Sequence, residues 1–410
     1  MNGHEKDRSV RQISRSLCSG CMMCGDICPR RAISFPVTKG FWYPDVDAEA
    51  CVNCGLCSRR CPVLNVQEAN RTEPLACYGC KSKDEFARWH STSGGFFSEL
   101  AQRWIAEGGV VAGAAYGERQ EIIHIVGSDR AAVERLRQSK YAQSRTTGIY
   151  EETKRLLDRG EKVLFCGAPC QVEALLHFLG GPDEKLLTMD FVCLGICSPY
   201  AYRRYLDMLE RKYHSKVKRV WFKNKELGWR QIAVRIDFEN GKEYLRNGGM
   251  DLFMVPFVTD ALSMRPNCEN CRFRKLPHRS DIMVGDFWGV EKVHPAVDDD
   301  KGISAVLLNS QKGLEIYQRL ERHLVSFKTT CADIVSGNFS ILKPLATNPD
   351  QEAFMDAIET KGYERAVYRY SSLTRRKILL RKLRGLLRPM KRLGCSVRRR
   401  CARRSAKGRG

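Results

Sequence analysis

Cys18-Ser-Gly-Cys21-Met-Met-Cys24-Gly-Asp-Ile-Cys28-Pro29 and Cys51-Val-Asn-Cys54-Gly-Leu-Cys57-Ser-Arg-Arg-Cys61-Pro62 are two copies of one pattern. Two residues separate the first three cysteines of each copy, and three precede the fourth. Three thiolates so spaced reach three corners of one [4Fe–4S] cube, and the fourth, held off by the turn before proline, reaches the other cube. Cys18, Cys21, Cys24 and Cys61 are therefore expected on one cluster, and Cys51, Cys54, Cys57 and Cys28 on the second. Cysteines two residues apart also serve zinc sites and disulfides. Zinc does not require the repeated third cysteine and the proline, and disulfides require an oxidising compartment.

The chain of 410 residues has room for such a module and one or two further domains, and its hydrophobic fraction of 43% is that of a globular protein. No run of about twenty apolar residues occurs, and residues 1–17 lack an apolar signal core. A cytoplasmic protein is expected, in which nineteen cysteines point to metal rather than disulfides. The formal charge of +22 is concentrated in residues 364–410, where eighteen Lys and Arg face only Glu364. That tail carries +17 and leaves about +5 for everything else. Leu373, Ile378, Leu379, Leu380, Leu383, Leu386, Leu387 and Met390 recur in it at helical spacing, which predicts a basic amphipathic helix up to Pro389. Such a helix can lie on an anionic membrane surface, peripheral on its inner face, or dock on a partner protein. Specific nucleic-acid recognition is not expected, since phosphate contacts alone carry no base reading.

Composition divides the chain into a disordered arm (1–16), a two-cluster bacterial-ferredoxin-like domain (17–66), a polar link (67–74), a mixed α/β body (75–345) and the basic tail (364–410). Ile33 to Phe35 and Phe41-Trp42-Tyr43 are expected to pair as short strands that wall the clusters from water. In the body, strands are predicted over 110–115, 122–126, 162–166 and 186–193. Helices are predicted from Ser91–Gly95 to about Glu107 and over 133–138, 150–159 and 199–213. Asn240-Gly241 marks a hairpin between 231–238 and 242–245.

Three constellations in the body carry chemistry. Ser91, Ser93, Gly94 and Gly95 open a helix whose free amides and hydroxyls could hold a phosphate, or simply cap it. Cys170, near a helix N-terminus, Cys193, at a strand end, and the pair Cys268 and Cys271 could converge on a third cube, or be buried structural thiols. Cys166, Cys197, Cys331, Cys395 and Cys401 have no assigned role. The apolar strand ending in Gly285-Asp286-Phe287-Trp288-Gly289 is either a core strand with a turn or a place where a planar ring stacks on Trp288 beside Asp286. No GxGxxG fingerprint follows a strand and no Walker A loop is present, so a conventional Rossmann cofactor site is unsupported.

The ordered motifs Ser91-Thr92-Ser93-Gly94-Gly95, Ser139-Lys140-Tyr141-Ala142-Gln143-Ser144, Gly167-Ala168-Pro169-Cys170-Gln171, Asp190-Phe191-Val192-Cys193, Cys268-Glu269-Asn270-Cys271 and Gly285 to Gly289, behind the two-cluster module, resemble the coenzyme F420 hydrogenase/dehydrogenase beta-subunit family over residues 17–345. The resemblance implies an iron–sulfur flavoprotein oxidoreductase that passes electrons between [4Fe–4S] clusters, FAD and an organic two-electron acceptor or donor, F420-like or unidentified. It implies that Ser91, Ser93, Gly94, Gly95, Ser139, Lys140, Tyr141 and Gln143 line the FAD site, with Lys140 stabilising negative charge on the reduced ring. It also implies a third cluster on Cys170, Cys193, Cys268 and Cys271. Bacterial relatives are associated with polysaccharide biosynthesis, a setting the resemblance extends to this chain. Leu194, where the family often has histidine, and Ile196-Cys197, where it has valine-proline, depart from the pattern and leave the acceptor open. Two other classes are weighed against this reading: an electron-relay subunit delivering electrons to a partner enzyme without substrate chemistry of its own, and an accessory protein of glycan assembly whose redox centres are vestigial or structural.

Overall fold

The computed structural model describes residues 7–69 and 71–374. In the N-terminal module, β1 (Ile33–Ser34), β2 (Val37–Thr38), β3 (Phe41–Trp42) and β4 (Asp45–Val46) make two small antiparallel pairs. Here the sequence reading is corrected: β3 pairs with β2, and β1 pairs with β4. Lys39 and Gly40 both take positive φ, so the chain reverses directly between β2 and β3 and leaves β1 to the strand beyond them. The N-terminal arm is also corrected in part. Residues 10–12 form a 3-10 turn capped by Ser9, and Val10 is buried at 2% exposure against the cysteine loops.

The body is built on β5 (Ala76–Ser82), β6 (Val110–Tyr116), β7 (Ile122–Gly127), β8 (Val163–Cys166), β9 (Leu186–Phe191), β10 (Val217–Asn224), β11 (Ala233–Phe238), β12 (Glu243–Arg246), β13 (Ile282–Asp286), β14 (Ser304–Leu308) and β15 (Leu324–Lys328). Eight of these form one sheet in the order β15-β5-β14-β13-β9-β8-β6-β7. Its middle, β6, β8, β9 and β13, is parallel, and its flanks are antiparallel. Helix Pro169–Leu179 crosses from β8 to β9, and helix Ile149–Asp158 precedes β8. With helices against it, β8 is apolar on both faces, and Val163, Leu164 and Phe165 are all buried. The meander β10-β11-β12, turned at Asn240-Gly241 as predicted, packs with helix Pro199–Tyr213 into a second apolar core. Helices Gln351–Lys361 and Tyr363–Tyr370 complete that core through Phe354, Ile358 and Val367. The body thus runs past 345 and takes in the first residues assigned to the tail. Their charges lie on the outer face of an amphipathic helix, so composition alone read them as tail. The predicted amphipathic helix lies outside the described residues beyond Thr374.

The N-terminal module docks on the body through its backbone. Thr146 and Tyr150 donate their hydroxyls to the carbonyl of Cys21 at 2.7 and 2.8 Å. The Asp26 carboxylate accepts from the amides of Gly148 and Tyr150 at 2.7 and 3.1 Å, capping helix Ile149–Asp158, whose N-cap glycine has no side chain for the purpose. Among the described residues no helix is long and apolar enough to cross a membrane.

Leu164 is fully buried between two parallel neighbours, so Leu164→Ala leaves a cavity that cannot close. It should destabilise by about 2–5 kcal/mol. Leu227→Ala, at a side chain 45% exposed, should stay within about 0.5 kcal/mol. The comparison is read from thermal unfolding midpoints of the two variants and the parent.

Candidate electron-transfer site

In each cysteine loop the residues on both sides of the second cysteine take positive φ: Gly20 (71°) and Met22 (60°) around Cys21, Asn53 (51°) and Gly55 (71°) around Cys54. This double reversal wraps the chain so that its thiols converge. At Met22 it costs about 1–2 kcal/mol, which only a demanding local geometry sustains. Cys18, Cys21, Cys24 and Cys61 line one cavity of about 370 Å³, closed by Val10, Phe35 and Val63. Cys28, Cys51, Cys54 and Cys57 line a second of about 360 Å³, with Ile33, Val46 and Val52. The fourth cysteine of each copy therefore stands with the first three of the other.

A third cavity, of about 470 Å³, is lined by Cys170, Cys193, Cys268 and Cys271 with Phe273, Met283 and Ile341. Cys170 lies in the first turn after β8, Cys193 just after β9, Cys268 within the 3-10 turn Pro266–Asn270 and Cys271 at its C-cap, all lining the cavity at the carboxyl ends of these parallel strands. That edge is where open parallel sheets hold ligands.

Burial dominates the chemistry of these thiols. It pushes Cys21 up to about 12 and Cys24 well above the usual range, with the thiols sharing their cavity adding to the effect. Burial likewise raises Cys170, and its thiol neighbours are Cys193, Cys271 and Cys21. Such groups ionise only when a multivalent cation supplies the compensating charge. Four thiols about an apolar cavity fit an iron–sulfur cube in each of the three places. Among the described residues no three His, Cys, Asp or Glu side chains stand so as to share a single metal ion.

The residues expected around FAD are brought together in part. Thr92, in the serine–glycine loop, accepts from the Ser139 amide at 2.8 Å and meets its hydroxyl at 3.1 Å. Gly95 (φ 97°) starts helix Phe96–Ala106. Gly94 passes so close to β5 and β14 that a Cβ would lie 2.3 Å from the Cys80 carbonyl. Ser91 and Ser93 spend their hydroxyls on the carbonyls of Ala87 and Ile303, and Lys225 donates to the Ser93 carbonyl at 2.6 Å. Lys140 points its ammonium at the carbonyls of Arg135, Leu136 and Arg137 at 2.6–3.0 Å, and burial pushes it down to about 7. Close to it, the buried Tyr116 hydroxyl has no protein partner, nor have the Tyr202 hydroxyl and the Trp221 indole N–H. Tyr141 and Tyr202 both pack on Phe222, the neighbour of Trp221 on β10. An unpaired buried polar group costs about 1–3 kcal/mol, so the Tyr116 hydroxyl beside this cation, with that of Tyr202 near it, fits a bound polar molecule, while Trp221 stacks on His90 on the other face of β10.

Gln143 lies elsewhere: its amide donates to the Gly20 carbonyl at 3.0 Å and accepts from Arg265 at 3.1 Å, at the docked module. Asp286 ion-pairs with Lys223 and accepts from the Trp229 indole at 3.1 Å. Trp288 stacks on Trp229 with ring centres 4.5 Å apart, so one face of its ring is already covered by protein. Of the unassigned cysteines, Cys166 lies beside Lys140, Cys197 is a buried thiol 3.3 Å from the Ser263 hydroxyl, and Cys331 hydrogen-bonds Cys77. Cys395 and Cys401 lie outside the described residues. Sequence reasoning passed over Asp26, Tyr150, Arg265 and Trp229. Asp26 and Arg265 carried a signal, a charged residue inside or just before a cysteine motif. Tyr150 and Trp229 carried none.

These features place the chain among proteins with iron–sulfur-type cysteine sites. Residues 17–65 match the 4Fe-4S dicluster domain, and residues 160–330 match the C terminus of the coenzyme F420 hydrogenase/dehydrogenase beta subunit. A curated relative, an uncharacterized ferredoxin of Methanocaldococcus jannaschii, is 36% identical over 50 residues, which are 12% of this chain and 65% of that protein. The chain thus spans just under two thirds of that relative's length. A chain of the F420-reducing [NiFe] hydrogenase complex from Methanosarcina barkeri superposes with a TM-score of 0.44 at 16% identity, over 73% of this chain and 93% of that one.

The Lys140 ammonium loses its proton near pH 7 in the folded, ligand-free protein and near 10.5 when the chain is unfolded. Between those values the unfolded chain holds one more proton, so stability must rise with pH across that window. The difference in unfolding midpoint between the parent and Lys140→Met, both ligand-free, should be flat below about pH 6 and move in the parent's favour from pH 7 to 10.

Proposed function

We propose that this protein is an iron–sulfur flavoprotein oxidoreductase in which three [4Fe–4S] clusters, held by the twelve cysteines of the three cavities, exchange electrons with FAD near Lys140. The observation that supports this most directly is the file in which the cavities stand. The Cys28–Cys57 cavity is nearest the surface, with Val52 on its wall 59% exposed. Cys57 is a charge neighbour of Cys24 in the next cavity, and Cys21 is in turn a neighbour of Cys170 in the third. Electrons entering from a redox partner protein would pass from the exposed site to the inner one and then to the body.

FAD supplies the conversion between single electrons and a hydride, which lets one-electron clusters serve an organic two-electron acceptor or donor. The chain's own part is positioning. The Thr92–Ser139 contact joins the two loops that would hold the cofactor, Lys140 would set a cation at its ring, and Tyr116 and Tyr202 would offer it hydrogen bonds. Ser91 and Ser93 contribute by shaping the loop, and Asp286 and Trp288 by bracing the site, rather than by touching the flavin, while Gln143 serves the docked module. The acceptor of F420 type and the setting in glycan assembly rest on family likeness. Association of the basic tail with an anionic membrane surface on the cytoplasmic side is part of the same proposal.

Anaerobic purification followed by iron, sulfide and released-flavin analysis tests the reading. About twelve irons and one FAD are expected, and Cys193→Ser should retain about eight irons with the flavin unchanged. About eight irons and no flavin in the parent would make it a two-cluster relay and overturn the proposal.

A further inference from the structure

Arg265 is fully buried, and no carboxylate among the described residues forms an ion pair with it. Its guanidinium is instead distributed over the inner cysteine loop. Nε donates to the Cys18 carbonyl at 2.9 Å, Nη1 to the Trp42 carbonyl and the Gln143 side-chain oxygen at 3.1 Å each, and Nη2 lies 3.6 Å from Cys18 Sγ. The ring of Tyr43 lies 4.1 Å beneath it and that of Phe41 5.6 Å. The Cys18–Cys21 loop is moulded to this group: a Cβ on Gly20 would come within 2.7 Å of the guanidinium carbon. On its other side, Arg265 begins the turn that carries Cys268, whose amide donates to the Arg265 carbonyl at 3.0 Å.

A buried cation without a carboxylate is among the least favourable things a fold can hold, and carbonyls and ring faces only partly offset its lost hydration. The compensation missing from the protein is negative charge at Cys18. We propose that Arg265 is a positioning residue that raises the reduction potential of the Cys18/Cys21/Cys24/Cys61 cluster, so that electrons run inward from the exposed cluster to the one facing the body. The inference rests on reading these cysteines as cluster ligands. A cube on four thiolates gains one more negative charge on reduction, and a fixed cation at a ligand sulfur favours that state. None of Arg265's contacts is with Cys28, Cys51, Cys54 or Cys57, so the two clusters of the module, alike in motif, are made unlike in potential by a residue of the body.

The test is an anaerobic redox titration of the full chain followed by electron paramagnetic resonance, with iron content measured on each sample. In Arg265→Gln one midpoint of the module should fall by 59 mV or more, a tenfold lower ratio of reduced to oxidised cluster at fixed potential, while the other holds. Arg265→Lys keeps the charge and should recover most of the shift, which a purely structural role would not allow. Gln143→Glu leaves Arg265 in place, sets a carboxylate against it and should lower the same midpoint, which keeps the test decisive if Arg265→Gln loses iron. Unchanged midpoints in iron-replete Gln143→Glu and Arg265 variants overturn the inference and leave the cluster reading standing. A parent protein without two cluster signals in the module overturns the cluster reading itself.

Discussion

The structure depends on the seating of one cysteine loop against the body. The carbonyls of Cys18, Gly20 and Cys21 accept from Arg265, Gln143, Thr146 and Tyr150, and Asp26 caps a body helix from across the junction. These are main-chain acceptors on a segment already bent by positive φ at Gly20 and Met22. The loop's geometry is therefore set from two sides, by the thiols that converge on its cavity and by the body's donors. Neither the module nor the body supplies that geometry alone, so the two behave as one unit.

The large sheet explains where the third set of cysteines comes from. Its parallel strands β8 and β9 end at the same edge, and each is followed by a cysteine within four residues, Cys170 and Cys193. Helix Pro169–Leu179 begins at that edge, where charged side chains are buried in pairs: His278 bonds Asp190 at 2.8 Å and Glu173 pairs with Arg279 at 2.8 Å. The docked module lies over the same edge, which puts Cys21 next to Cys170. A short path between the cysteine-lined cavities is thus a result of topology, because the strands' carboxyl ends and the module's inner loop meet at one place.

The surroundings of Lys140, where we propose a flavin, follow a different logic. Polar groups there are held in a frame that already satisfies most of them: Ser91, Ser93, Lys140 and Lys225 bond to backbone carbonyls and so define loop shape. Among the groups left without partners are the Tyr116 and Tyr202 hydroxyls, on β6 and helix Pro199–Tyr213. Rigid loops surrounded by a few unsatisfied donors are a preorganised arrangement, in which a cofactor completes hydrogen bonds at little conformational cost.

Local and repetitive features were legible in the sequence. The doubled cysteine spacing named the two ligand groups, because a cube dictates which residues of so short a segment can reach it. Alternation of apolar runs with turn residues gave the central strands β6, β8, β9 and β13, the Asn240-Gly241 hairpin and helix Pro199–Tyr213. Missed were β5, β10, β14 and β15, whose short apolar runs have no strand-specific period and whose partners are distant in the chain. The tertiary structure alone places Arg265 under Cys18 and turns Gln143 to the module rather than to the surroundings of Lys140. It also decided that Asp286 and Trp288 are engaged by Lys223 and Trp229, and that the residues before Thr374 belong to the core. For the polar groups and rings among these the physical reason is common. A buried charge, amide or ring is placed by whatever compensates it, and here the compensating group lies on another element, many residues away, where no local pattern records it.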